Sequence, residues 1–177
     1  DMDAWFPMTN GKLYYYENTS LDSVTPNVIP NGGVDGGTTG WGFYPGDGGI
    51  SVIVSGDTLL AEAGGDTVLF AASVGDSALA IPELANSGAE NNAYFEYTGD
   101  NAIAPGTQFI ASAHVHPGLA ATTGSAVLFA KYFGAGYSWI GMNSQSVDVS
   151  ALSMGWNPME IFANVPAGAV IVQVGVM

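Results

Sequence analysis

The sequence predicts an all-β protein, an antiparallel two-sheet β-sandwich with jelly-roll topology and about ten strands. Three observations carry this expectation. First, 25 Gly and 9 Pro among 177 residues interrupt the chain so often that short strands are favoured over helices. Second, no segment shows a convincing 3.6-residue period, and the one helical candidate, Ala78 to Ala85, is broken by Pro82. Third, the stretch Ala104 to Pro117 reads as one long sheet-crossing strand. It lies between the turn signals Pro105-Gly106 and Pro117-Gly118, and the ten residues between them carry no charge and no breaker. Side chains alternate along a strand, so Phe109, Ala111, Ala113 and Val115 share an apolar face suited to a core. Gln108, Ile110, Ser112, His114 and His116 share the other. The remaining strands are expected to wrap around this one.

Length and charge narrow the function classes. A chain of 177 residues can bury a core that needs no staples, and it has no Cys to supply any. Two Lys, no Arg and 16 acidic residues give a formal net charge of −14. Phosphate binding needs clustered Lys and Arg, so a nucleic-acid partner is argued against. No apolar run approaches a spanning length of about 18 residues, so no membrane span is expected. Only 10% of the residues are charged, leaving Gly, Ser, Thr and Asn to cover much of the surface, which suits an extracellular protein. The chain opens at Asp1 with no initiator Met and no basic leader, as expected of a secreted chain, extracellular or at the cell surface, after signal-peptide removal. Asn18-Thr19-Ser20 is a glycan acceptor triplet.

Taken in order, residues 1 to 30 form an aromatic-rich extension distinct from the sandwich of residues 31 to 177. Trp5, Phe6, Leu13, Tyr14, Tyr15 and Tyr16 put much apolar surface into a short piece, with Leu13 to Glu17 a strand candidate after the Asn10-Gly11 turn. Such a segment either covers one end of its own domain or acts as an arm that pairs with a neighbouring copy. Asn31 to Gly49 is a Gly-rich loop with neither the following helix nor the Lys that phosphate binding requires. Ile50 to Val54 is a strand. Three similar corners follow, Gly56-Asp57-Thr58, Gly65-Asp66-Thr67 and Gly75-Asp76-Ser77, and their spacing predicts a meander with Val68 to Ala72 in the middle. Ala93 to Tyr97, Ser125 to Phe133, Tyr137 to Met142, Ser146 to Val149, Trp156 to Ala163 and Ala169 to Val176 complete the strands. Ala111, Ala113, Ala126 and Ala130 would let the two sheets approach closely.

A resemblance emerges from several short pieces in order: Asn31-Gly32-Gly33-Val34-Asp35, then Gly40-Trp41, then Ala104-Pro105-Gly106-Thr107-Gln108-Phe109-Ile110-Ala111-Ser112-Ala113. Phe129 to Phe133, Trp156 and Val165-Pro166-Ala167-Gly168-Ala169 follow. Over roughly residues 28 to 177 this resembles the jelly-roll carbohydrate-binding modules attached to xylanases and laminarinases. The resemblance implies a sandwich and a non-catalytic role. It also implies a structural calcium, the one cofactor expected, with Asp35 at the acidic position of the first strand.

The side chains themselves offer little catalytic chemistry. His114 and His116, at i and i+2, face the same way, as a chelating pair would. A cupin-like centre would add an acid between Pro117 and Gly124 and a later His, and neither is present. A Ser nucleophile would need one of these two His, and no Gly-x-Ser-x-Gly elbow exists. The chain is therefore expected not to be an enzyme. Pyranose faces stack on aromatic rings while polar side chains bond the hydroxyls, which makes Tyr94, Glu96, Gln108, His114, Tyr137, Trp139 and Asn143 the candidate sugar site. Two readings follow. One is a subunit that self-associates into an extracellular fibre, sheath or matrix through sheet edges and its N-terminal arm. The other is a free-standing module that binds a polysaccharide.

Overall fold

A computed structural model describes residues 29, 34, 37–44, 77–79, 81, 91–117, 124–153 and 155–177, and the backbone of strand residues 5–7, 13–15, 51–54, 58–60, 67–69 and 80. The chain divides into two compact units, Asp1–Pro30 and Asn31–Met177. In the first, β1 (Trp5–Pro7) pairs antiparallel with β2 (Leu13–Tyr15), Trp5 opposite Tyr15 and Phe6 opposite Tyr14. The two strands thus pair along their facing edges only. Tyr16, Asn18 and Asp35 lie outside the described residues.

The second unit is an antiparallel two-sheet β-sandwich. Its strands are β3 (Trp41–Tyr44), β4 (Ser51–Val54), β5 (Thr58–Leu60), β6 (Thr67–Leu69), β7 (Ser77–Ala80), β8 (Asn92–Tyr97), β9 (Gln108–Val115), β10 (Ser125–Phe133), β11 (Trp139–Asp148), β12 (Asn157–Asn164) and β13 (Ile171–Val176). One sheet has the order β11-β10-β13-β8-β3, and β12 pairs with β9 in the other. The chain passes repeatedly between them, with β9 following β8 and β12 lying between β11 and β13 in sequence, which is the jelly-roll habit.

Burial follows the alternation. In β9, Ala111 is buried and Phe109, Ala113 and Val115 are half-buried, while Gln108, Ile110, Ser112 and His114 are exposed. In its partner β12, Met159, Ile161 and Ala163 are buried, and Pro158, Glu160, Phe162 and Asn164 are exposed. Across the gap the larger sheet offers Leu128, Ala130 and Tyr132 of β10, Val172 and Val174 of β13 and Ala93 and Tyr97 of β8, all buried and on one face by register. Small residues at Ala93, Ala111, Ala130 and Ala163 let the layers close. At one margin Gln145, on the core face of β11, accepts a hydrogen bond from the Glu160 backbone N–H of β12 at 2.8 Å and stitches the sheets together.

Three features differ from the sequence expectations. The strand at Ala104 to Pro117 is β9 of the smaller sheet, whereas β10 and β13 occupy the interior of the larger one. The Gly-Asp corners do not make a meander: β4 pairs with β7 and β5 with β6, two nested hairpins whose reversal lies between Leu60 and Thr67. The two strands expected over Tyr137 to Met142 and Ser146 to Val149 are one ten-residue edge strand, β11. Asn143, Ser144 and Gln145 do not break it, because an edge strand leaves one side to water and tolerates polar residues.

Candidate functional site

The larger sheet has a second face, turned away from β9 and β12, and its aromatic and polar side chains make the candidate site. Register places Tyr94 and Glu96 of β8, Gln173 of β13, Lys131 and Phe133 of β10 and Trp139 of β11 on it. The face differs along its length. Phe129, in the middle of β10 and level with Gly175 and Tyr94, is fully buried, with the Lys131 ammonium 4.5 Å from its ring centroid and 3.9 Å from Met177 Sδ. At one end Tyr137 and Trp139 are exposed, at 56% and 58%.

Two local devices build the open end. The first is a β-bulge. Tyr132 pairs with Gly141 but Phe133 pairs with Trp139, so Ile140 is an extra residue in β11. Without it Ile140 would face Phe133 and Trp139 would turn to the core. The extra residue brings the indole against Phe133, with ring centroids 5.5 Å apart at 72°. The second is the tight connection between β10 and β11, a 3₁₀ turn at Ala135–Tyr137 closed by the Gly134 N–H donating to Ser138 O at 2.8 Å. Gly136 and Tyr137 both have left-handed backbone, at φ 65° and 60°. Glycine adopts that conformation freely, but for tyrosine it costs about 1–2 kcal/mol. The phenol holds Tyr137 there: its ring lies 5.8 Å from Phe133 and its hydroxyl donates to Glu96 Oε1 at 2.8 Å.

Glu96 Oε2 accepts a second bond, from Gln173 Nε2, also at 2.8 Å. The carboxylate is thus fixed from both sides by neutral donors, and among the described residues it contacts no cationic side chain. That bond to Glu96, with smaller contributions from burial and nearby charge, pushes the Tyr137 phenol above its ordinary pKa. Tyr94 is raised too, chiefly by burial and secondarily by the Glu96 charge. Both phenols are therefore protonated donors near neutral pH.

Tyr94 lies between two glycines, Gly42 of β3 and Gly175 of β13, its register partners on either side. A Cβ on Gly42 would come within 2.7 Å of the Tyr94 ring, so the phenol lies down over the backbone of β3. A Cβ on Gly175 would meet the Ala93 carbonyl and stand 2.7 Å from Tyr94 Cα. The bare position at Gly175 admits the Tyr94 backbone and Cβ, and the one at Gly42 admits the far end of its ring.

Of the residues expected at a sugar site, Tyr94, Glu96, Tyr137 and Trp139 come together here. Gln108 and His114 stand on the exposed face of β9, in the other sheet. Asn143 sits on the core side of β11, where its Oδ1 accepts from the Tyr132 hydroxyl at 2.7 Å. His116 packs edge-on against Trp156 at 5.5 Å, and burial lowers its pKa. No group of three or more His, Cys, Asp or Glu side chains converges among the described residues. Sequence reasoning missed Phe133, Gln173 and the two glycines. Their signal was a lone Gln and an in-strand Gly within the otherwise apolar run Ile171 to Val176, the second of which marks a close approach.

No family model and no curated protein matches this chain. Among solved structures it is similar to the enzymatically active domain of tailspike protein 4 of bacteriophage CBA120, at 14% identity and a TM-score of 0.50. The likeness covers 85% of this chain and 19% of that one, so the chain spans about a fifth of its structural neighbour. It extends to the β-rich fold alone. Fold and site together define a β-sandwich with an aromatic, carboxylate-bearing face.

Proposed function

We propose that the protein is a non-catalytic carbohydrate-binding module whose ligand is a polysaccharide lying on the Tyr94–Trp139 face. The observation that carries this reading is the pairing of aromatic rings with pre-oriented polar groups. Tyr94 rests over Gly42, Trp139 is turned outward by the bulge, and between them Glu96 is held by Tyr137 and Gln173. Rings of this kind stack on pyranose faces and the fixed carboxylate orients hydroxyls. β8 and β11 are separated by two intervening strands, β10 and β13, roughly 14 Å across the sheet. Tyr94 is level with Phe129, four residues along β10 from the Trp139 partner Phe133, roughly 14 Å along it, so the platforms stand about 20 Å apart, more than one sugar ring covers. Titration with β-glucans and xylan tests the reading. Trp139→Ala and Tyr94→Ala should each weaken binding by about tenfold. Absence of binding across a broad glycan panel would overturn it.

A second reading is self-association into an extracellular assembly. It is favoured by the separateness of residues 1–30 as a compact unit and by the cross-strand pair Ile110 and Phe162, 59% and 73% exposed on the open face of β9 and β12. Large apolar side chains paired in this way mark contact surfaces. Under this reading, removing residues 1–29 leaves a folded monomer in sedimentation velocity while the full chain forms larger species. Equal sedimentation behaviour would refute it.

A further inference from the structure

We infer that the polysaccharide bound on this face carries protonated amino groups, and that Glu96 with the Phe133–Tyr137–Trp139 corner receives one of them. This rests on the carbohydrate reading above and names its substrate class: a glycan of free amino sugars. The starting point is the charge on Glu96. The side chain is half-buried, and both of its hydrogen-bond partners, the Tyr137 hydroxyl and the Gln173 amide, are neutral. They fix the carboxylate without compensating it, and each oxygen keeps a lone-pair direction for one more donor. The three rings meeting at Phe133 add to the same field, because π faces attract cations.

Other charges on the face agree. Lys131 shares a row with Gln173 and Glu96, but its ammonium is turned toward Phe129 and Met177, away from Phe133. The phenols of Tyr94 and Tyr137 are neutral donors at ordinary pH. The whole chain carries a net charge of −14 that draws cationic ligands and repels anionic ones. A uronic-acid or sulfated glycan would meet this field with the wrong sign. A neutral glycan would use the rings and leave the carboxylate's charge unanswered. An ammonium group placed beside the stacked ring engages both, as a charge-assisted hydrogen bond and as a cation over aromatic faces.

The test uses the full chain and three short β-1,4-linked oligomers: glucosamine, its N-acetylated counterpart and glucose, measured by calorimetry in mildly acidic buffer. The glucosamine oligomer is expected to bind about tenfold more tightly than the N-acetylated one. Glu96→Gln should abolish that preference, bringing the glucosamine oligomer to within about twofold of the two neutral ones, whatever affinity all three lose in common. Asp100→Asn removes the same charge from an exposed position in the turn after β8 and should keep the preference. Added salt should shrink the wild-type preference, which supplies a readout that needs no variant. Equal affinity for amine-bearing and neutral oligomers overturns the inference and leaves the carbohydrate reading standing. Equal losses in Glu96→Gln and Asp100→Asn also overturn it, because the attraction is then diffuse. Binding to none of the three overturns the inference, and absence of binding across the broad glycan panel as well overturns the carbohydrate reading.

Discussion

Replacing Gly42 with alanine tests the site through the packing that creates it. The new methyl would stand 2.7 Å from Cε2 and Cζ of Tyr94, whereas carbons in contact settle at about 3.5–4.0 Å. The ring must therefore retreat by roughly 1 Å, and since its own Cβ is pinned over Gly175 it must tilt off the sheet. Because the far end of a side chain can move, and β3 is an edge strand, the stability cost should stay near the lower end of overpacking, about 1 kcal/mol. Gly175→Ala is the comparison. There the obstacles are the Ala93 carbonyl and the Tyr94 backbone in the interior of the sheet, which cannot step aside, so about 3 kcal/mol or more is expected. Gly141→Ala meets nothing within 4 Å and should be nearly neutral. Chemical denaturation reads the three costs, which should be largest for Gly175→Ala, smaller for Gly42→Ala and near zero for Gly141→Ala. Glycan titration reads the site: Gly42→Ala should lose about the stacking energy of one ring, near 1 kcal/mol or about fivefold in affinity, while Gly141→Ala loses nothing. If Gly42→Ala kept full affinity, Tyr94 would not be a platform, and if Gly175→Ala were as stable as wild type, the close approach of β13 to β8 would be wrong.

Two further outcomes follow from the core. The Tyr97 hydroxyl is buried with no hydrogen-bond partner among the described residues, so Tyr97→Phe should be neutral or up to about 1 kcal/mol more stable by thermal unfolding; a loss would reveal a hidden partner. Burial pushes Tyr97 from 10.0 up to about 12 and raises Tyr132 as well, so the folded state disfavours the phenolate. The resulting stability is complete below pH 10 and lost between there and about 12, and Tyr97→Phe should flatten that decline; an unchanged alkaline limb would count against it. Asn157 ties the turn before β12, with Oδ1 accepting from Ser153 N and Oγ and Nδ2 donating to Ser153 O, Gly155 O and Val115 O. Asn157→Ala should cost about 2 kcal/mol, and a cost below 0.5 would show that the turn holds without it.

What could be read from the sequence depended on how many faces of a strand are buried. β9 and β12 bury one face each, so the alternation of Phe109, Ala111 and Ala113, or of Met159, Ile161 and Ala163, appears plainly in the letters. That same clarity misled, because alternation marks a strand with one solvated side. The interior strands of the larger sheet read instead as near-continuous apolar runs, Ala126 to Ala130 and Ile171 to Val176, and these are where the fold is centred. Pairing was less legible still. Three Gly-Asp corners of the same chemistry do not say which of them reverses the chain, and only the register of β4 with β7 and β5 with β6 decides it.

The candidate site shows the limit most sharply in β11. Trp139, Gly141 and Asn143 stand two apart, and strict alternation would put all three on one face. One extra residue at Ile140 reverses the parity between them. Trp139 turns to Phe133 on the aromatic face, and Asn143 turns inward to bond Tyr132. A bulge has no reliable signature in a single sequence, since it depends on where the partner strand ends and where the turn closes. Here the turn is short and carries Tyr137 in a left-handed conformation, paired to Glu96 from across the sheet. Bulge and strained turn are consequences of the same few residues, Gly134 to Ile140, and the Tyr137 of that turn holds the Glu96 carboxylate of β8. Irregular backbone concentrated in this way, on an otherwise regular ladder and beside a carboxylate that meets only neutral donors among the described residues, is what the proposed binding site rests on.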